Sequence, residues 1–224
     1  VIENEAQSVS IRPGVMGFSN PLPGVENWGD SRMSATMEIT LKTFNHPWLK
    51  YLFKKNDNVI KNNKTGETTP AESRICGIRT GTHPGEGQGY DENQYIAFSK
   101  LNEQYFNAAP LYLMKYAEVC FLRAEGALRG WNMGGTVQNF YEQGIRLSFE
   151  QWGVTGIDSY LSDNSSTPEP YNDPVGLNSY SGSVSTATIA WSNSVSEEEK
   201  LEKIITQKWL ANFPLGQEAW TEYR

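Results

Sequence analysis

The stretch from Pro110 to Gly153 constrains the fold of this chain more than any other. It carries two successive apolar patterns of helical period separated by a short polar turn. In the first, Leu113, Ala117, Phe121, Ala124 and Leu128 recur every three or four residues, which places them on one helix face. Pro110 suits a first helical position and Gly130 a stop. In the second, Val137, Phe140/Tyr141, Ile145, Phe149 and Trp152 follow Thr136 as N-cap and end at Gly153. Ala117, Ala124, Gly126 and Ala127 are small, so the first helix is expected to admit its partner closely while aromatics of the second fill the space between. The pattern predicts a helical hairpin over 110–153 with tetratricopeptide-like packing. One such hairpin buries its apolar faces only against neighbours.

Four subregions follow from this anchor. Residues 1–109 are loop-rich, with Pro13, Pro21 and Pro23 near the start and one short strand predicted near Val9 to Arg12. Met33, Met37 and Leu41 form a helical stripe that ends before Asn45-His46-Pro47, and Trp48 to Phe53 form a short apolar helix or strand. A polar surface loop is predicted from Asn56 to Ser73 and a short strand from Arg74 to Thr80. Gly81 to Tyr90 is glycine-rich, but no GK[ST] follows and no apolar helix opens after it, so a phosphate cradle is excluded and a mobile or ligand-facing loop expected. Beyond the hairpin, 154–195 reads as a long loop carrying Tyr160, Tyr171, Tyr180 and Trp191; a loop of that length is functional or packed by its own aromatics. In 196–224, Ser196 with Glu199 makes a capping box, and Leu201, Ile204/Ile205, Trp209 and Phe213 are the expected buried stripe. Pro214 and Gly216 end that helix and a further helical turn begins at Gln217.

Charge and composition remove several function classes. A net charge of -7 argues against a nucleic-acid partner, which requires a basic face. No apolar run reaches the length of a membrane helix, and the opening VIENEAQSVS has neither part of a signal peptide, so any address or anchor is expected outside this sequence. Cys76 and Cys120 have no zinc or redox spacing; Cys120 reads as a small core hydrophobe, and a disulfide between the two is left open. His46 and His83 belong to no metal or nucleophile cluster. No cofactor is expected. The 26 acidic residues leave a glycosidase-type carboxylate pair open, although Glu197-Glu198-Glu199 is accounted for by the helix N-terminus.

Three stretches together resemble the SusD/RagB family of surface glycan-binding lipoproteins of Bacteroidetes: KYAEVCFLRAEGALRGW (115–131), YEQGIRLSFEQWGV (141–154) and KIITQKWLANFPLGQEAWTEYR (203–224). The last is the most specific. MSATMEITLKTFNHPWLKYLF is also similar, with His46-Pro47-Trp48 where family members usually carry Asp-Pro-Arg. The resemblance covers roughly residues 5–224 as the C-terminal half of a member. It implies a mainly α-helical fold and a lipid-anchored outer-membrane protein, anchored through a segment outside this sequence. It further implies capture of an oligosaccharide or glycopeptide for a SusC-like TonB-dependent transporter. The rival readings are a carbohydrate-active enzyme and a protein-binding repeat scaffold. Family members cover the hairpin with N-terminal repeats, so this chain alone is expected to expose an apolar patch or to associate.

Sugar capture requires rings that stack on a pyranose and planar polar groups for its hydroxyls. Trp28, Tyr90, Tyr171 and Trp191 are the loop rings that could supply the first, with Arg79, His83 and Asn93 as polar neighbours. Trp131, Trp152, Trp209 and Trp220 sit at helix ends or on apolar stripes and are expected in the core.

Overall fold

A computed structural model describes residues 2–28, 31–56, 59–61, 68–70, 73–81, 98–174, 178–181 and 185–221. In chain order the elements are strand β1 (Val9–Ile11), helices α1 (Leu22–Trp28), α2 (Ala35–Thr43) and α3 (Trp48–Leu52), and strands β2 (Val59–Lys61), β3 (Thr68–Pro70) and β4 (Leu111–Met114). Helices α4 (Tyr116–Leu128), α5 (Val137–Gln151), α6 (Ile157–Leu161), α7 (Glu197–Asn212) and α8 (Gly216–Thr221) follow. The chain forms two units, one of Val1–Phe18, Pro110–Ser166 and Ala187–Arg224, the other of Ser19–Ala109 and Thr167–Thr186.

The first unit is built on α4, α5 and α7. Thr136 and Ser196 cap α5 and α7 as their sequence context predicts, accepting from Asn139 N at 3.2 Å and Glu199 N at 3.1 Å. The start of α4 differs from expectation. Leu111–Met114 is a strand paired antiparallel with β1, Leu113 faces solvent, and the helix begins only at Tyr116. Apolar LYLM suits either state, and the unpaired edge of Val9–Ile11 decides between them.

The close approach between α4 and α5 also runs opposite to the expected direction. Gly144 on α5 receives the Phe121 ring of α4, and a Cβ at Gly144 would stand 2.6 Å from Phe121 Cζ. Phe121, Ala124, Tyr141, Ile145 and Phe149 are buried, each large side chain contributing about 1.5–3 kcal/mol by leaving water. Gly126 is covered instead by Met133 and the Trp131 ring, so Trp131 lies over the helix end with 63% of its surface exposed. Trp220 is 72% exposed and Trp152 and Trp209 are half-buried, so none of the four tryptophans is fully in the core.

The buried face of α7 is more polar than its apolar stripe implies. Ile204 is buried, but Leu201, Ile205, Trp209 and Phe213 are half-buried, while Lys203, Gln207, Lys208 and Asn212 are buried. Nonlocal partners explain this. Lys203 Nζ donates to Thr188 Oγ1 and Ala190 O, Tyr160 OH donates to Gln207 Oε1, and Asn212 Nδ2 donates to Glu118 Oε1. Lys115, just before α4, donates to Ala211 O at 2.7 Å and Phe213 O at 2.8 Å, which satisfies carbonyls left open at the end of α7. The 154–195 stretch is not wholly loop: α6 lies within it, and Ala190 N donates to Asp163 O at 2.7 Å.

In the second unit, Ser34 caps α2 by accepting from Met37 N, and Met33, Met37, Leu41, Trp48 and Leu52 are buried. Residues 48–52 resolve as a helix, and the expected polar loop over 56–73 contains the β2–β3 hairpin. Arg74 to Thr80 is an extended strip held by isolated bonds, with no regular strand. Ile78 N donates to Met33 O and Ala35 N to Ile78 O, both at 2.7 Å, and Ser99 N donates to Cys76 O at 2.8 Å. Only glycine fits at position 77, where a Cβ would stand 2.1 Å from Ser34 O. Cys76 and Cys120 are both buried, and no disulfide joins them.

Candidate functional site

The Arg74–Arg79 strip is the platform on which a polar, aromatic loop is fixed. Glu38, buried on α2, reaches the strip with both oxygens: Oε2 accepts from Gly77 N at 2.8 Å and Oε1 faces Arg74 Nη1 at 3.4 Å. Burial raises the Glu38 pKa, and the Gly77 bond and Arg74 work against that rise. Arg74 in turn donates to Asn172 O, and the Tyr171 hydroxyl donates to Gly77 O at 2.6 Å. The loop then closes on itself. Tyr171 and Tyr180 exchange two backbone bonds of 3.0 and 3.1 Å, and Asp173 Oδ2 accepts from Asn178 N at 2.8 Å.

At the far end of the strip, the Arg79 guanidinium stands 5.1 Å from the centre of the Tyr180 ring and donates to Asn178 O at 3.4 Å. The result is an exposed planar cation against a half-buried ring, a pairing suited to hydroxyl-rich and aromatic-stacking ligands.

The predicted site residues fall in several places. Trp28, at the end of α1, is 75% exposed and offers an open indole. Arg79 is exposed and is brought to Tyr171 through Tyr180, an aromatic of the 154–195 loop that was not among the expected ligand rings. Tyr171 is corrected from ligand ring to packing ring: it is 1% exposed, with Tyr180 5.5 Å away and its hydroxyl committed to the strip. Trp191, in the other unit, is half-buried against Tyr141 at 5.1 Å, and its Nε1 donates to Asn193 Oδ1. His83, Tyr90 and Asn93 lie outside the described residues. The spacing of Tyr171 and Tyr180 around a Gly/Pro/Asn-rich stretch was the one signal that could have found Tyr180.

On the Arg74 side of the same loop opens a cleft of about 810 Å³, lined by Lys42, Lys50, Lys55, Arg74 and Asp173 with Leu49, Ile75 and Pro174 as its apolar wall. None of the predicted site residues that are described lines it.

His46 is buried, accepts from Trp48 N through Nδ1, and burial pushes its pKa down to about 3, so it stays neutral and serves the α3 entry. Among the described residues, no three His, Cys, Asp or Glu side chains gather in a way that could hold a metal ion. Nor, among them, is any helix long and apolar enough to cross a membrane.

Residues 1–224 match the SusD-like family, described as Susd and RagB outer membrane lipoprotein. A chitin-binding SusD homolog from Flavobacterium johnsoniae is 39% identical, with a TM-score of 0.78 over 98% of this chain and 42% of that one. A SusD homolog from Bacteroides uniformis is 36% identical, with a TM-score of 0.79 over 100% of this chain and 43% of that one. A SusD-like protein from Bacteroides thetaiotaomicron is 32% identical, with a TM-score of 0.83 over 100% of this chain and 44% of that one. The chain therefore spans less than half the length of these relatives. No curated protein matches it.

Proposed function

We propose, from the premise that this chain belongs to the SusD-like family of SusD and RagB outer membrane lipoproteins, that it is part of a cell-surface glycan-binding protein. The whole protein would capture an oligosaccharide and hand it to a TonB-dependent outer-membrane transporter of the SusC type, held at the membrane by a lipid anchor outside this sequence. SusD-like binding proteins are non-catalytic, so capture proceeds without turnover.

One observation carries the reading: the chitin-binding homolog is 39% identical to this chain over an alignment that covers 98% of the chain. The open indole of Trp28 and the exposed Arg79 beside Tyr180 support it, because they supply a stacking face and a planar donor. His83, Tyr90 and Asn93 are proposed as further contacts on sequence grounds. Leu113, Leu122, Trp131 and Trp220, all large and exposed, support the expectation that further chain covers the first unit.

The test is binding of the full-length protein to a panel of polysaccharides and host glycans, with reducing-sugar release assayed in the same tubes. Retention without release is expected, weakened about tenfold or more by Trp28→Ala or Arg79→Ala. Release of reducing ends would make the protein an enzyme. Silence in both assays, with a protein co-purifying, would make it a scaffold.

A further inference from the structure

The chain carries a net charge of -7, yet the cleft beside the 171–174 loop has the opposite sign. Among the described residues, Lys42, Lys50, Lys55 and Arg74 line it against one carboxylate, Asp173. Asp173 is itself buried, with Oδ2 accepting from Asn178 N at 2.8 Å. Arg74 is paired with Glu38. The three lysines differ: all are exposed, and none makes an ion pair with a described residue. Three ammonium groups around one cleft repel each other, and only an anionic occupant relieves that repulsion.

We propose that this cleft is a subsite for an anionic sugar unit, carboxylated or sulfated, of a captured glycan; this rests on the glycan-binding reading above. At about 810 Å³ it lies within the range of small-ligand sites and has room for a sugar unit. Leu49, Ile75 and Pro174 supply an apolar wall for the C–H face of a pyranose. The three lysines meet the acidic substituent, and Arg74, held by Glu38 and Asn172, adds its remaining N–H donors. The lysines act as point charges that raise the local concentration of anionic glycan and penalise neutral competitors only by the absence of that gain.

The experiment uses the full-length protein with three oligosaccharide probes of matched length: a uronate-containing one, a sulfated one and a neutral chito-oligosaccharide. Binding is measured by calorimetry at low and high salt for the parent and for the triple variant Lys42→Gln/Lys50→Gln/Lys55→Gln, whose exposed side chains leave the core untouched. The expected result is tighter binding of at least one acidic probe, weakened about tenfold by the triple substitution and by salt, with neutral binding unchanged. The two acidic arms distinguish carboxylate from sulfate. Equal binding of acidic and neutral probes, or an acidic affinity untouched by the triple change, overturns the subsite while leaving glycan capture standing. Failure of all three probes, together with failure of the wider polysaccharide panel, overturns both.

Discussion

Gly144→Ala isolates the contact on which the α4–α5 pair is built. In a helix interior this change ordinarily stabilises by about 0.5–1 kcal/mol, because alanine loses less backbone freedom on folding. Here the new Cβ would lie 2.6, 2.7 and 2.9 Å from Cζ, Cε2 and Cε1 of Phe121, all closer than real contacts allow. The ring has no free direction in which to move: Phe121 is 0% exposed and meets Tyr141 edge-on at 6.4 Å. Overpacking of this kind costs about 1–3 kcal/mol. Set against the propensity gain, the net loss is about 0 to 2.5 kcal/mol, centred near 1 kcal/mol, which is roughly 2–4 °C in melting temperature for a chain of this size. Urea unfolding with an unchanged m-value, alongside a thermal melt, measures it. Gly24→Ala in α1 meets nothing within 4 Å and is the control, expected to melt at or slightly above the parent. Pairing Gly144→Ala with Phe121→Leu should recover part of the loss through a coupling of at least about 0.5 kcal/mol. A Gly144→Ala variant stabilised by the ordinary helix-propensity gain, or strict additivity with Phe121→Leu, would refute the account of how these helices meet.

Two further outcomes follow from burial. Burial pushes the Lys115 pKa down from 10.5 to about 7, with Glu118 and Glu5 opposing the shift. Between those two values the unfolded chain binds more protons than the folded one, so this residue makes stability rise with pH across that window. Lys115→Met should flatten the rise by up to about 1.4 kcal/mol per pH unit, read from urea unfolding at a series of pH values; parallel curves for parent and variant would show an ordinary surface-like lysine. Burial likewise lifts the Cys76 thiol to about 12 and the Cys120 thiol to about 11. Both should resist iodoacetamide at a pH of about 8 in the folded protein and react in urea, as mass spectrometry would record; rapid labelling of the native chain would contradict the packing around them.

The parts of the fold that a sequence expresses locally were legible, and the parts settled by distant partners were not. Thr136 and Ser196 announce helix starts because a cap is satisfied within three residues, and both caps are made. The start of α4 depends on Val9–Ile11, about a hundred residues away in the chain, and the helix period of 110–128 has no access to that fact. The polar face of α7 follows the same logic. Lys203, Gln207 and Asn212 look like solvated positions until Thr188, Tyr160 and Glu118 arrive as partners.

The candidate site shows why the chemistry was harder still to see. Tyr171 has the composition context of a ligand ring, but its hydroxyl donates to the Gly77 carbonyl and its ring is buried. Its loop partner Tyr180 is thereby left half-exposed with Arg79 against it. The basic cleft draws on residues from Lys42 to Asp173, none of them in a run or at a motif spacing, in a chain whose overall charge points the other way. Net charge excludes a basic face as a whole and says nothing of a local one. Where charges of one sign are gathered by tertiary structure against the average, the sum over the sequence hides them, and only the folded arrangement gives the cleft its sign.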